Sequence, residues 1–325
     1  MSEADDQRWL RAAAALADRG RPLSRPNPAV GALVVRDGRV VGRGWTQPGG
    51  RPHAEAMALA AAGDTAHGAT LYVTLEPCAH RSERGPACAE LVAASGMKRV
   101  VVGCGDPDPR TAGAGIARLR NAGIACDEVV SAGASESLAG YLACRTLGRP
   151  QVTLKLALSL DGAIAMADGQ SRWITGAIAR AHGHAQRARA DAILVGGGTL
   201  RADAPKLDVR LAGLEARSPA RWVLSREAAP AGWQRLARPE DIATMAGVQY
   251  LFVEGGAATA AAFLAADLVD RLLVYRAPIV IGGGRPGIAD IGLGGLDRAH
   301  GRWRLVETRR LGNDLLEAYE RTRTT

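Results

Sequence analysis

His53-Ala54-Glu55, Pro77-Cys78 and Cys88 are the residues of this sequence best suited to do chemistry. One imidazole and two thiolates make a three-ligand set for zinc, leaving the fourth tetrahedral position to water. Bound zinc lowers the pKa of such a water to about 7. Glu55, two residues from His53, is not needed as a ligand and is placed to carry a proton from that water to a leaving amine. A lone histidine or cysteine is ordinarily a surface or core residue, and His67, His300, Cys104, Cys126 and Cys144 are read that way. The grouped pattern is far more specific.

The elements around these residues follow from periodicity and turn chemistry. Helices are expected at Asp5–Asp18, Ala54–Ala61, Ala87–Ala94, Gly115–Ala122 and Ser135–Leu147. Asn27-Pro28 is a turn, and Asp37-Gly38 joins a hairpin of Ala29–Val35 with Val40–Gly44. Thr70–Leu75 and Arg99–Gly103 are strands. His53 therefore heads a helix, Cys78 follows a strand and Cys88 opens the next helix, where helix N-termini are expected to favour the thiolate at both cysteines. Helices alternating with short strands imply a three-layer α/β/α domain. Gly148-Arg149-Pro150 punctuates its end, so residues 1–147 form one domain and 148–325 a second.

The second half repeats an α/β pattern, with strands expected at Val152–Leu160, Ala192–Val195, Arg221–Leu224, Tyr250–Val253, Arg271–Tyr275 and Trp303–Thr308. Gly196-Gly197-Gly198-Thr199 follows one apolar strand and Glu254-Gly255-Gly256 another. Two Gly-rich turns at strand ends suggest a dinucleotide site, since their backbone N–H groups can meet phosphates. The spacing is not Gly-x-Gly-x-x-Gly, so the usual fingerprint is absent.

A formal charge of +8 favours anionic partners. No basic block is interleaved with aromatics, which argues for phosphorylated small molecules and against nucleic acid. No apolar run is long enough for a membrane span. The acidic start does not resemble a signal or transit peptide, and five cysteines in 325 residues suit cytosolic thiols better than disulfides. A cytoplasmic homo-oligomer is expected.

The first half resembles the deaminase part of the bifunctional riboflavin biosynthesis family. Four segments carry the resemblance: Arg25-Pro26-Asn27-Pro28-Ala29-Val30-Gly31-Ala32, Gly49-Gly50-Arg51-Pro52-His53-Ala54-Glu55, Thr74-Leu75-Glu76-Pro77-Cys78-Ala79-His80 and Asp106-Pro107-Asp108-Pro109. The ten-residue step from Cys78 to Cys88 is too wide for the Cys-x-x-Cys of cytidine and nucleic-acid deaminases. The resemblance implies a cytidine-deaminase-like fold and zinc-hydroxide deamination of 2,5-diamino-6-ribosylamino-4(3H)-pyrimidinone 5′-phosphate. It also implies that Asn27, His80, Asp106 and Asp108 line the pyrimidine and ribose-phosphate pocket. Two departures stand out. Thr46 replaces a histidine often found near the substrate, and the loop between the cysteines is one residue longer, with Arg84 standing near the usual basic position.

The second half resembles the reductase part of the same family, whose fold is like dihydrofolate reductase. The resemblance rests on Leu154–Gly162, Gly169–Thr175, Arg187–Thr199, Asp203–Arg210 and Tyr250–Gly284. It implies NADPH reduction of the ribosyl chain to ribityl. Ala157, Trp173, Thr199, Asp203 and Gly256 would then meet NADPH, and Ser225-Arg226, by its place after a strand, could grip the cofactor's 2′-phosphate. Ser171, Arg187, Leu207, Arg210 and Glu254 would face the substrate, the arginines being suited to bidentate phosphate contacts. Between Trp222 and Tyr250 the pattern shortens, and the family's further strand and helix are expected to be missing, leaving the cofactor wall incomplete. The alternative reading is a deaminase whose second half is a degenerate scaffold.

Overall fold

The computed structural model describes residues 2–323. Its contacts divide the chain into two units, one ending at Gly148 and one beginning at Arg149.

In the first unit the chain runs α1 (Glu3–Ala17), β1 (Gly31–Arg36), β2 (Arg39–Trp45), α2 (Ala54–Ala62), β3 (Thr70–Val73) and α3 (Cys88–Ala93). It continues through β4 (Arg99–Val102), α4 (Ala114–Asn121), β5 (Ala125–Glu128), α5 (Ala132–Ser137) and α6 (Ala139–Thr146). Asp37 (φ 49°) and Gly38 (φ 72°) turn the β1–β2 hairpin with the positive φ that a primed two-residue turn requires. The sheet has the order β2-β1-β3-β4-β5, antiparallel at β1 and parallel from β3 onward.

Alternation in β1 and β3 sends side chains to both faces. Ala32, Val34, Leu71 and Val73 pack with Ala54, Ala58, Ala89, Val92 and Leu119 of α2, α3 and α4. Leu33, Val35 and Tyr72 pack on Leu10 and Ala13 of α1. Three layers result, as the patterning implies. The expected helix Ser135–Leu147 is two helices meeting at Leu138, and β5, a short strand with only Cys126 buried, had no apolar alternation to announce it.

The second unit runs β6 (Gln151–Leu158), β7 (Ala163–Ala165), α7 (Ala177–Arg187), β8 (Ala192–Gly196), α8 (Gly197–Asp203), β9 (Ala220–Leu224) and β10 (Gln234–Leu236). It ends with β11 (Tyr250–Val253), α9 (Ala257–Ala265), β12 (Arg271–Arg276), β13 (Arg285–Pro286), β14 (Trp303–Leu311) and β15 (Asp314–Arg321). Eight strands form one sheet in the order β10-β9-β8-β11-β6-β12-β15-β14. Pairing is parallel from β10 to β12 and antiparallel across β15 and β14. In β6, Val152, Leu154, Leu156 and Leu158 face α9 and one core. The opposite face carries Ala157, beside the core of Ile193, Val195, Phe252 and Tyr275 under α7.

The expectation of a missing strand and helix after Trp222 is corrected here. β10 pairs in parallel with β9, and a 3-10 helix at Pro239–Thr244 buries Ile242 completely. The segment is poor in β-branched residues, so its strand is only three residues long and left no pattern to read.

Candidate functional site

The first site is held by unusually close packing of α2 on β2. A Cβ at Gly44 would lie 2.0 Å from the Ala54 carbonyl oxygen, and one at Gly42 2.2 Å from that of Ala58. Only glycine permits this approach, and it draws the first turn of α2, with His53 as its N-cap and Glu55 following, against the sheet.

His53 Nδ1 lies 3.2 Å from Cys88 Sγ and 3.7 Å from Cys78 Sγ. The three candidate ligand atoms all lie within 4.8 Å of one another. Tetrahedral zinc with ordinary Zn–N and Zn–S bonds separates neighbouring ligands by about 3.6 Å, so the residues fit the metal. The far edge of the imidazole is oriented by Asn27, whose Nδ2 lies 3.0 Å from His53 Nε2 and donates to the Gly50 carbonyl at 2.9 Å.

Expected helix termini at both cysteines reduce to one. Cys88 opens α3, whereas Cys78 sits in the loop after β3 and accepts from the Cys88 backbone N–H at 3.3 Å. The Cys78 thiol is pulled down to about 4, first by the hydrogen bond from the Cys88 thiol, then by His53, with burial opposing. Cys88 moves upward as donor of that bond, and burial adds to the shift. Metal binding displaces such a proton and makes both sulfurs thiolates. Glu55 is buried beside Cys88, and burial raises its pKa although His53 opposes the shift.

A second carboxylate, Glu76, escaped the sequence reading as a functional residue. It is 3% exposed, two residues before Cys78. Its oxygens accept from the backbone N–H groups of Asp106, Gly113, Gly115 and Ile116 at 2.9–3.3 Å. Glu76 thus ties the cysteine loop to the Asp106–Asp108 loop and to the first turn of α4. Its position in Thr-Leu-Glu-Pro-Cys was the available signal.

The other expected pocket residues gather around this tie. Asp106 accepts from Tyr141 Oη at 2.7 Å and from the Asp108 N–H at 2.9 Å. Asp108 is bonded by Arg110 and approached by Arg145 at 3.1 Å, and these arginines hold its carboxyl well below the usual range. His80 Nδ1 lies 3.4 Å from Thr111 Oγ1. Thr46 is turned inward, its hydroxyl accepting from the Val30 N–H at 2.9 Å with 1% exposure, so it locks the β1 entry. Arg84 is exposed, and its guanidinium lies near the Gly49-Gly50 turn behind Asn27.

In the second unit the expected residues collect at the carboxyl ends of parallel strands, where ligands bind in open α/β sheets. Ala157 lies near the end of β6, Thr199 and Asp203 in α8 after β8, Ser225 after β9, and Glu254 and Gly256 after β11. Thr259 of α9 brings the two Gly-rich turns together, because a Cβ at Gly196 would lie 2.2 Å from its hydroxyl and one at Gly255 2.4 Å from its Cβ.

Arg187 and Glu254 face each other. Arg187 donates to both Glu254 oxygens at 2.6 and 3.0 Å and to the Asp208 carbonyl at 3.0 Å. Lys155 Nζ stands 3.7 Å from the same carboxylate. Burial pushes Glu254 upward, but Lys155 and Arg187 hold it below its ordinary value. Leu207 is buried in the core below α7, so only its backbone is available to a ligand. Ser171 and Trp173 lie between β7 and α7, with Trp173 62% exposed under the Arg180 guanidinium. Arg210 is exposed beside Asp208 at 3.5 Å.

A cavity of about 390 Å³ opens at the ends of β8 and β9. Gly197, Leu200, Arg201, Val223, Ser225 and Glu227 line it, together with Ala228, Ala229 and Pro230. Glu227 to Pro230 of the short segment thus form one side of this cavity.

Comparison with known proteins agrees with both halves. The cytidine and deoxycytidylate deaminase zinc-binding region matches residues 3–104, and the RibD C-terminal domain matches residues 150–316. Riboflavin biosynthesis protein RibD of Aquifex aeolicus is 36% identical over 97% of this chain and 98% of its own. RibD of Escherichia coli is 36% identical, covering 95% and 98%. Acinetobacter baumannii RibD superposes with a TM-score of 0.86 at 34% identity, covering 99% and 100%. A Thermotoga maritima deaminase/reductase gives 0.86 at 30% identity with the same coverage. The chain belongs to the RibD family of riboflavin biosynthesis proteins, with a zinc-binding deaminase unit followed by an NADPH-dependent reductase unit.

Proposed function

We propose that residues 1–147 deaminate the diaminopyrimidine ribosylamino 5′-phosphate and that residues 148–325 then reduce the ribosyl chain of the product to ribityl. The His53–Cys78–Cys88 triad with buried Glu55 beside it carries the deaminase reading. Zinc, when bound, supplies an activated water, and NADPH supplies a hydride. Glu55, buried beside the triad, is placed to receive a proton at its carboxylate and pass it to the departing amine. Asn27 orients the imidazole and, with His80, Asp106 and Asp108, is assigned to the pyrimidine and ribose-phosphate pocket. Tyr141 and Glu76 fix the loop that presents those aspartates.

In the reductase, Ala157, Trp173, Thr199, Asp203 and Gly256 are assigned to NADPH, with its adenosine end in the cavity beside Ser225. Ser171, Arg187, Leu207, Arg210 and Glu254 are assigned to the substrate, Leu207 through its backbone. Lys155 joins them through Glu254. The assigned residues at the ends of four neighbouring parallel strands, with a cavity at the ends of two of them, favour a working reductase over a degenerate scaffold. We place the protein in the cytoplasm as a homo-oligomer, which the unpaired outer edge of β14 with its half-exposed Leu305 would suit. No helix among the described residues is long and apolar enough to cross a membrane. The test is an assay of the purified chain with zinc and the diaminopyrimidine substrate, with and without NADPH, products resolved by mass. Ammonia release in both and ribityl product only with NADPH is expected. A chain that deaminates but neither binds nor oxidises NADPH is the scaffold.

A further inference from the structure

The cavity at the end of β9 contains a pair of opposite charges that the assignments above leave unused. Arg201 Nη1 donates to Glu227 Oε2 at 2.9 Å, and both residues line the cavity. Their side chains are 63% and 73% exposed, and ion pairs so solvated are weakly held and easily exchanged for another partner. Ser225 lines the same wall. Its hydroxyl accepts from the Glu227 N–H at 3.0 Å, which fixes the turn carrying the carboxylate. Gly197 closes the group: a Cβ there would lie 3.3 Å from both Arg201 Nη1 and Ser225 Oγ.

NADPH and NADH differ at one position, a ribose 2′-phosphate against a 2′-hydroxyl. A carboxylate beside that ribose accepts from the hydroxyl, whereas an arginine accommodates the phosphate. Most cavities of this kind present one or the other. Here both stand in one wall and neutralise each other. We infer that Arg201 and Glu227 together set the discrimination between NADPH and NADH. Arg201 grips the 2′-phosphate. Glu227 competes for the same guanidinium, repels the phosphate and accepts from the hydroxyl of NADH. The wild-type chain therefore has a narrower preference for NADPH than its arginine alone would give. This inference rests on the placement of the cofactor's adenosine end proposed above.

The test is a fluorescence titration of the full-length, zinc-loaded protein with NADPH and with NADH, in wild type, Glu227→Gln and Arg201→Gln. Both side chains are exposed, so folding is checked simply by zinc content and circular dichroism. Glu227→Gln should bind NADPH about three- to tenfold tighter, the effect of removing one like charge near a dianion in a solvated site. NADH should bind it equally or more weakly. Arg201→Gln should bind NADPH about tenfold more weakly through loss of a charge-assisted contact, with NADH little changed. Adenosine 2′,5′-bisphosphate should compete in the same order, locating the effect at the 2′-phosphate. An unchanged NADPH-to-NADH ratio in both variants, while wild type still binds NADPH, overturns the discriminator and leaves the reductase standing. A folded wild type that binds no NADPH overturns both.

Discussion

The two sites are built on opposite plans. The candidate metal centre takes its three ligands from two helix starts and one loop within a span of 36 residues, His53 to Cys88. It is braced by backbone: glycines that let α2 touch β2, and a buried carboxylate gathering four N–H groups. The residues assigned to the reductase pocket come from the ends of four strands spread over about a hundred positions, Ala157 to Gly256. It is braced by charge, with Arg187 and Lys155 closing on Glu254. A short-range, backbone-braced centre fails abruptly when one ligand is lost. A long-range, charge-braced pocket loses function in steps and depends on pH.

The largest effect is expected at the metal. Cys78→Ser or Cys88→Ser should lower zinc content at least about tenfold, because a hydroxyl is a far poorer zinc ligand than a thiolate. Ammonia release should disappear with it. Elemental analysis of the purified variants is the check, and full zinc occupancy in either would mean the ligands are wrong.

Next comes the reductase ion pair. Glu254→Ala leaves the Arg187 guanidinium half-buried without its carboxylate, at 14% side-chain exposure. Breaking a buried pair from one side costs about 3–5 kcal/mol, and partial exposure here reduces that to about 2 kcal/mol. Thermal unfolding should show the loss while zinc content stays at the wild-type level. Loss of zinc in this variant would contradict the separation of the two sites.

Glu76→Ala should act on the deaminase alone. It strands four N–H groups, three of them buried, each buried one a penalty of about 1–3 kcal/mol unless water enters. The change should raise KM for the diaminopyrimidine by loosening the Asp106–Asp108 loop. Steady-state kinetics decide the point, since a fall in kcat alone would show that Glu76 supports only the cysteine loop.

The pH response is the smallest effect and belongs to the second unit. Burial lowers the pKa of His182 and His184, with nearby arginines adding to the shift. Their folded pKa values lie below the unfolded one, so the stability they contribute is complete above the ordinary histidine range. It is lost as pH falls through the folded values. Denaturant midpoints should fall between pH 7.5 and pH 5.5 by the equivalent of about 1 kcal/mol. His182→Gln should flatten that slope, and an unchanged slope would remove His182 as its source.

The same contrast explains what the sequence made legible. His53, Glu55, Cys78 and Cys88 announced themselves because metal chemistry restricts residue types at short spacing. The three layers of the first unit followed from alternation in strands such as Thr70–Val73 and from the Asp37-Gly38 turn. Tyr141 could not be found, because its bond to Asp106 spans 35 residues and a tyrosine on a helix is ordinarily core. Arg201 and Glu227 were equally silent, since exposed charges 26 residues apart carry no pattern until a strand end brings them together. β10 was missed because three residues, two of them exposed, show no period. Gly196 and Gly255 were read as phosphate-binding turns, and the structure adds a packing reason for both at Thr259.

The most direct test of two independent centres in one chain is Glu55→Gln, assayed in parallel on the diaminopyrimidine substrate and on its deaminated product. The amide cannot transfer the proton assigned to the carboxylate. Zinc content and NADPH-driven reduction of the pre-deaminated product should match wild type, while ammonia release falls by at least about a thousandfold. Ammonia release within tenfold of wild type, or joint loss of reduction in a folded, zinc-loaded variant, would contradict the account.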